Sequence, residues 1–434
     1  MKLELTIKVD YLPKWGVFEG IRELVQNGRD AQVEFGAPLQ VLLLIEKDGV
    51  GTLVIENDGT TLEHEALLLG HTSKTGRGDC IGKFGEGLKL GVLALVRAGH
   101  AVKIRSGDEV WVPAIERSER FKANVLTFDV QKGRANKNRV RVEVANIADA
   151  DWKEMKKCFL FLGDPGDLVR GKAGALLLDP EKKGRIFVKG IFVANEPKLA
   201  YGYDFAEADL DRDRRMVASW ELPSLCRQVW QETLAQRPGL VAPFYGLLVE
   251  QTPDASGVAT WNADKFPAKE LALCFAAEHG EGSVPVKDLA ESRDLAHLGQ
   301  VGVVVNEGLG AVLAKVLGTA SQIKERLHNE VTASHGWHEL DQAESVCLEQ
   351  TIELVERVRK VSLGDIDLVT FRSSALQGMY KDGRILLAKK LLGDRNLTLK
   401  VLVHEVAHRY GGDGEKDHVA EIEEIWSEIV RRLR

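Results

Sequence analysis

The chain has 434 residues, 44% of them hydrophobic and 28% charged, with a formal net charge of −7. That balance supplies full cores for about three domains of ordinary size, and its acidic sign argues against nucleic acid as a main partner. The five cysteines at 80, 158, 226, 274 and 347 form no Cys-x-x-Cys pair and point to a reduced, cytoplasmic protein. No apolar run approaches the ~20 residues needed to cross a bilayer, and the first residues lack the features of a signal peptide.

The first helix expected is Glu19-Gly-Ile-Arg-Glu-Leu-Val-Gln-Asn-Gly-Arg-Asp-Ala31. At helical pitch Glu19, Glu23, Asn27 and Asp30 share one face, and Phe18, Ile21, Leu24 and Val25 give the buried side. An acid one turn from an Asn suits the positioning of water and of Mg²⁺, which prefers oxygen ligands. Val41–Ile45 and Thr52–Glu56 then flank the hairpin signal Lys47-Asp-Gly-Val-Gly51. The second of these strands ends in Asn57-Asp58-Gly59, where Asp58 can accept a hydrogen bond from an exocyclic amine above Gly59.

Next comes a glycine-rich stretch from Gly70 to Gly91 that runs straight into an apolar helix, Leu88 to Val96. Glycines at 82, 85 and 87 let backbone approach a ligand, and the N–H groups of the following helix make an anion site. Thr72, Ser73, Lys74, Lys83 and Lys89 add hydroxyls and positive charge.

In this order the three segments resemble the ATPase superfamily of gyrase, the ninety-kilodalton chaperones, histidine kinases and MutL (GHKL). The matching residues are Glu23-Leu-Val-Gln-Asn27, then Asp58-Gly59, then Gly82-Lys-Phe84-Gly85-Glu86-Gly87-Leu88-Lys89. His71-Thr-Ser-Lys74 is similar to the lid entry of the MutL and Microrchidia branches. The resemblance covers residues 1 to about 150 and implies a Bergerat-type α/β sandwich that binds ATP and Mg²⁺. It implies Glu23 as general base, Asn27 as Mg²⁺ ligand, Asp58 as adenine reader, Asp30 and Gly59 beside the nucleotide, and homodimerisation on ATP binding. The superfamily usually backs the adenine carboxylate with a Thr on a late strand; Asn138–Ala145 has none, and Thr127 is the nearest substitute.

Further strands are expected at Val102–Ile104, Glu109–Val112 and Arg139–Val144, and a closing helix at Trp152–Leu162. Gly184–Ala194 reads as one strand with a Lys189-Gly190 bulge. With the charged turn Asp209–Arg215 it resembles the transducer that follows such ATPases, whose basic side chain reaches the γ-phosphate. Lys189, Arg212, Arg214 and Arg215 are the candidates, against the plainer reading of a solvated charge cluster. Helices are expected at Leu222–Leu234, Ala268–His279, Ala311–Leu317 and Gln342–Val361, with an apolar strand over Val301–Gly310.

Near the end, Tyr380–Ala388 reads as a hairpin and Leu397–Tyr410 as a helix carrying His404-Glu405-Val-Ala-His408. Imidazoles at i and i+4 lie one turn apart and can share one Zn²⁺, with Glu405 placed to take a proton from water. A third ligand is needed; His418, after the Gly411-Gly412 turn, is the first choice, with Asp413, Glu421 and Glu424 as rivals. The segment resembles the minimal zincin metallopeptidases over roughly residues 360 to 434, although Gly414 stands where a metzincin has His.

These readings together predict an α+β multidomain protein: an ATPase domain (1–160), a transducer-like α/β domain (161–270), a small α/β and helical connector (271–360) and a mainly helical zincin-like domain (361–434). The expected activity is cleavage of protein substrates at a zinc site regulated by ATP. The alternative is a chaperone-like or clamp ATPase whose zinc is structural, which a fourth protein ligand would favour.

Overall fold

The computed structural model describes residues 1–46, 48–68, 85–210 and 219–433. The chain is mixed α/β with several sheets, and it divides into two compact units, Met1–Arg237 and Pro238–Arg434. The expected domain limits at 160, 270 and 360 fall inside these units, each of which carries two sheets.

In the first unit, β1 (Lys2–Lys8), α1 (Val17–Phe35), β2 (Leu39–Ile45), β3 (Val50–Asp58), α2 (Gly87–Arg97), β4 (Val102–Ser118), β5 (Ala123–Ala148) and α3 (Asp149–Lys156) follow in order. The strands pair antiparallel in the order β1-β5-β3-β2, with β4 along β5. The two strands expected between 102 and 112 are one, β4, and Arg139–Val144 is the far half of β5. The helix expected to continue to Leu162 stops at Lys156. Ile21, Leu24 and Val25 of α1 and Val92 and Leu95 of α2 share a core with Leu53, Ile55, Ile104, Val142 and Val144. The sheet's pleat and the helices' 3.6 period thus meet on one face.

Glycines set the spacing of the two helices. A Cβ at Gly20 would lie 2.6 Å from Leu95 Cγ, and one at Gly91 would lie 3.0 Å from Gly20 O. At Gly87 it would lie 2.4 Å from Glu23 Oε2, so the N-terminus of α2 comes down directly on that carboxylate.

The second sheet is β6 (Leu168–Arg170), β7 (Gly174–Leu177), β8 (Arg185–Val188), β9 (Ile191–Asn195) and β10 (Gly202–Phe205), ordered β6-β7-β10-β8-β9. The single bulged strand expected over Gly184–Ala194 is a hairpin instead. Lys189 at φ 52° and Gly190 at φ 81° both take the left-handed conformation, which reverses the chain in two residues. Helix α4 (Leu222–Gln236) is tied to this sheet by Trp230 Nε1–H, which donates to the Tyr203 hydroxyl at 2.9 Å.

The second unit begins with α5 (Val241–Glu250) and α6 (Ala268–His279). Then β11 (Val284–Val286), α7 (Leu289–Ala296) and β12 (Gly302–Val304) make a small parallel βαβ unit, followed by α8 (Glu307–Leu317) and α9 (Ala320–His328). The apolar run Val301–Gly310 is strand only over β12, because Asn306 accepts from Leu309 N–H at 3.0 Å and starts α8.

The closing module comprises β13 (Val331–His335), α10 (Gln342–Glu356), β14 (Ile366–Phe371), β15 (Gly378–Lys381), β16 (Arg384–Ala388), α11 (Arg395–Ala407) and α12 (Lys416–Leu433). Its sheet runs β13-β14-β16-β15, so β15 is an edge strand. The mainly helical C-terminal domain expected from 361 is therefore built on a mixed four-stranded sheet that takes a strand and a helix from before that point. Leu402, Val403 and Val406 of α11 and Ile425 and Ile429 of α12 pack with Leu348, Ile352, Ile385 and Leu387.

Candidate functional site

Two groups of chemistry-bearing side chains stand out, one in each unit. The first surrounds a cavity of about 360 Å³ beside α1. Leu24, Ile55, Leu90, Val140 and Val142 give it an apolar floor. Glu23, Asn27, Asn57, Thr60, Thr61 and Glu86 give it polar edges, and Gly85, Gly87 and Leu88 line the end nearest α2. Glu23 is buried, with its Oε1 3.2 Å from Arg22 Nη2.

Asp58 is not among the lining residues. It pairs with Arg139, and its side chain is 44% exposed. The reason is the pleat: successive residues of β3 face opposite ways, so Ile55 and Asn57 face α1 and Asp58 does not. Asn57 is buried, and its Nδ2 donates to Gly28 O at 2.9 Å and Ala37 O at 3.0 Å. Those two bonds fix the amide, since a flip would set Oδ1 against two carbonyls. Oδ1 is left as the acceptor on the cavity side. Alternation of Leu53, Ile55 and Asn57 was the signal that could have found it.

Lys89 is buried rather than presented to a ligand. Its Nζ donates to Ala66 O at 3.0 Å, Leu68 O at 2.6 Å and to Gly85 O. Burial pulls its pKa down to about 8, against the opposing pull of Glu86. It clamps the two ends of the glycine-rich segment. Lys89→Met should cost about 1–3 kcal/mol in urea unfolding, because three carbonyls lose a charged donor; an unchanged midpoint would remove this role. Asp30 is buried but lines a second, polar cavity with Arg29, Arg170, Lys189 and Asp204. Lys189 is therefore absent from the lining of the first cavity. Burial raises the pKa of Asp204, opposed by the Gly190 N–H and by Arg170. Gly59, at φ 90°, donates its N–H to Asn138 O at 2.6 Å. Thr127 donates to Ala114 O at 3.3 Å, and Val140 and Val142 supply the cavity wall from β5. Thr72, Ser73, Lys74, Gly82, Lys83, Phe84, Arg212, Arg214 and Arg215 lie outside the described residues.

The second group is on α11 and α12. Asp394 caps α11 by accepting from Asn396 N–H at 3.0 Å and Leu397 N–H at 3.1 Å. The helix then carries His404 and His408 on one face, and the turn through Gly411 and Gly412 brings α12 back with His418. Ring centroids are 4.9 Å apart for His404–His408, 4.9 Å for His404–His418 and 4.3 Å for His408–His418. With Asp413, these three offer donor atoms that all lie within 4.8 Å of one another, a group that could hold a metal ion.

The donor chemistry fits a metal. His408 Nδ1–H donates to Gly411 O at 3.1 Å, which leaves Nε2 as the lone-pair nitrogen. His418 is buried; its Nε2 lies 3.4 Å from His404 O, and its Nδ1 is buried with no hydrogen-bond partner. Burial lowers the pKa of His404, so the neutral, ligating form is favoured even beside Asp413. The rivals Glu421 and Glu424 both pair with Arg359 instead.

Glu405 is buried next to this cluster. Burial first, and then the Asp413 carboxylate, push its pKa up to about 7, while the Tyr380 N–H opposes the shift. That backbone contact comes from the edge strand β15. A Cβ at Gly378 would meet Glu405 Oε1 and Val401 Cγ1 at 2.7 Å, so only glycine lets the strand lie against the acid. The hairpin β15–β16 is closed by Asp382 at φ 50° and Gly383 at φ 82°. Gly378→Val should destabilise the second unit by about 1–3 kcal/mol through overpacking. It should do so with metal content unchanged, read by urea unfolding beside metal analysis.

Among the described residues no helix is long and apolar enough to cross a membrane. A comparison with established protein families finds no match for this chain. An uncharacterised protein of Mycoplasma pneumoniae is 22% identical over 225 residues, which covers 50% of this chain and 91% of that protein.

Proposed function

We propose that this chain is an ATP-dependent zinc peptidase of the cytoplasm. The observation that carries the reading is the convergence of His404, His408 and His418 beside a buried glutamic acid that titrates near neutrality and touches an edge strand. His404, His408 and His418 would hold the zinc. Bound there, a zinc ion would supply Lewis-acid chemistry, lowering the pKa of a water toward ~7 and polarising a carbonyl.

The protein's own residues do the rest. Glu405, with a pKa near working pH, takes the proton from the attacking water and returns it to the leaving amine. As an edge strand, β15 suits the addition of an extended substrate backbone along its outer side.

In the first unit the cavity is assigned to ATP. Asn57 Oδ1 accepts from the adenine amine, Asn27 supplies an oxygen to Mg²⁺ and Glu23 activates the hydrolytic water. The resemblance in Glu23–Asn27 and the cavity lining support this reading, and it carries with it an ATP-dependent homodimer. Glu23→Ala should keep nucleotide binding and abolish hydrolysis, because it removes the base and not the cradle. Equal loss of binding, measured by calorimetry, would overturn that role.

One observation favours the second reading, a structural zinc in a chaperone-like or clamp ATPase. Asp413 is a fourth donor at the cluster, and a site closed by four protein ligands is the usual structural arrangement. Zinc content and nucleotide-dependent cleavage of a generic unfolded protein separate the two.

A further inference from the structure

Asp413 stands where neither reading quite needs it. Its Oδ1 lies 3.1 Å from His404 Nε2 and 3.5 Å from His408 Nε2. Two vertices of a tetrahedron with metal–ligand bonds of ~2.05 Å are about 3.3 Å apart. The carboxylate oxygen is thus spaced from both imidazoles as a co-ligand would be.

The side chain is placed unlike the three histidines. It is 76% exposed, whereas His418 is buried and His408 is held by the Gly411 carbonyl. Its neighbours are Gly411 and Gly412 before it and Gly414 after it, with Gly414 at φ 78°. The segment from Gly411 to Gly414 lies between the end of α11 and the start of α12. A carboxylate on a glycine-flanked turn can leave a metal without disturbing either helix. A histidine on a packed helix cannot.

We propose that Asp413 is a displaceable fourth ligand, and that the resting centre is closed by it. Resting on the zinc reading above, this makes the site a latent one. His404, His408 and His418 retain the ion, and departure of Asp413 frees the position that water or a substrate carbonyl needs. The arrangement accounts for why one site has the donors of a structural centre and the buried acid of a catalytic one.

The full chain, stripped of metal and reloaded with Co²⁺ as a spectroscopic stand-in, tests this with acetohydroxamate as the probe of an open position. Asp413→Ala should bind one Co²⁺ per chain and take up acetohydroxamate at least about tenfold more tightly than the unaltered protein, a difference of ~1.4 kcal/mol. Asp417→Ala, a control acid outside the donor set, should match the unaltered protein. Equal acetohydroxamate affinity in the unaltered protein and Asp413→Ala, with cobalt bound in both, would overturn the closure and leave the metal centre standing. Loss of cobalt in Asp413→Ala alone would overturn the displaceable role of Asp413, and failure of the unaltered protein to bind cobalt would overturn the centre itself and the closure with it.

Discussion

Glu405→Gln should retain one Zn²⁺ per chain and lose protein cleavage by roughly 10²–10⁴-fold, the usual contribution of a positioned acid–base group. The isostere fills the same volume against Val401 and the Gly378 backbone, so packing is kept. It also keeps an oxygen to accept the Tyr380 N–H. What it loses is the ability to take a proton near neutrality. His404→Ala should lose both metal and cleavage, because it removes a donor of the cluster. The pair of variants separates base from ligand: metal analysis distinguishes them, and cleavage does not. If Glu405→Gln cleaves as the unaltered protein does, the acid has another role, such as anchoring β15.

Asn57→Ala should weaken ATP binding by about 1–3 kcal/mol, or roughly 5- to 150-fold, whereas Asp58→Ala should change it by less than about fivefold. Asn57 faces the cavity with an oriented acceptor, while Asp58 is half exposed and paired with Arg139. The acceptor has a second consequence that does not depend on substitution. A fixed Oδ1 favours the amine of adenine and faces the carbonyl of guanine unfavourably, so ATP should bind well ahead of GTP. Asn57→Ala also leaves Gly28 O and Ala37 O without their donor, so its fold is checked by urea unfolding alongside. Loss of binding in Asp58→Ala with Asn57→Ala intact would return the reader's role to Asp58.

Much of the fold was legible where the signals are local. The α1 pattern Ile21, Leu24, Val25 and the spacing of His404 and His408 are set within one element, and both segments are helical, with ends that differ from the reading by a few residues. The apolar run that holds β12 was legible as a strand, although it is shorter than read. Legibility ended where tertiary structure decides direction. Lys89 reads as a charge for a phosphate, yet the cores of α2 and the stems of the segment before it turn it onto three carbonyls. Asp58 reads as the reader by its chemistry, but the pleat turns Asn57 inward. Lys189-Gly190 reads as a bulge, since nothing local distinguishes a bulge from a two-residue reversal before the strand partners are known. His418 and Asp413 were rivals for one position on sequence spacing. The turn places both at the cluster, a result of three-dimensional closure that spacing alone does not decide.

The central claim is that zinc chemistry in the second unit depends on nucleotide bound in the first. Its most direct test is cleavage of unfolded casein by the purified, zinc-loaded full chain with and without ATP, in parallel with Asn57→Ala. The account predicts about one Zn²⁺ per chain in both proteins and cleavage by the unaltered protein that requires ATP and is abolished by a chelator. In Asn57→Ala, zinc should remain while cleavage falls at an ATP concentration near the Kd of the unaltered protein. Cleavage that proceeds equally without ATP, or undiminished in Asn57→Ala, would contradict it.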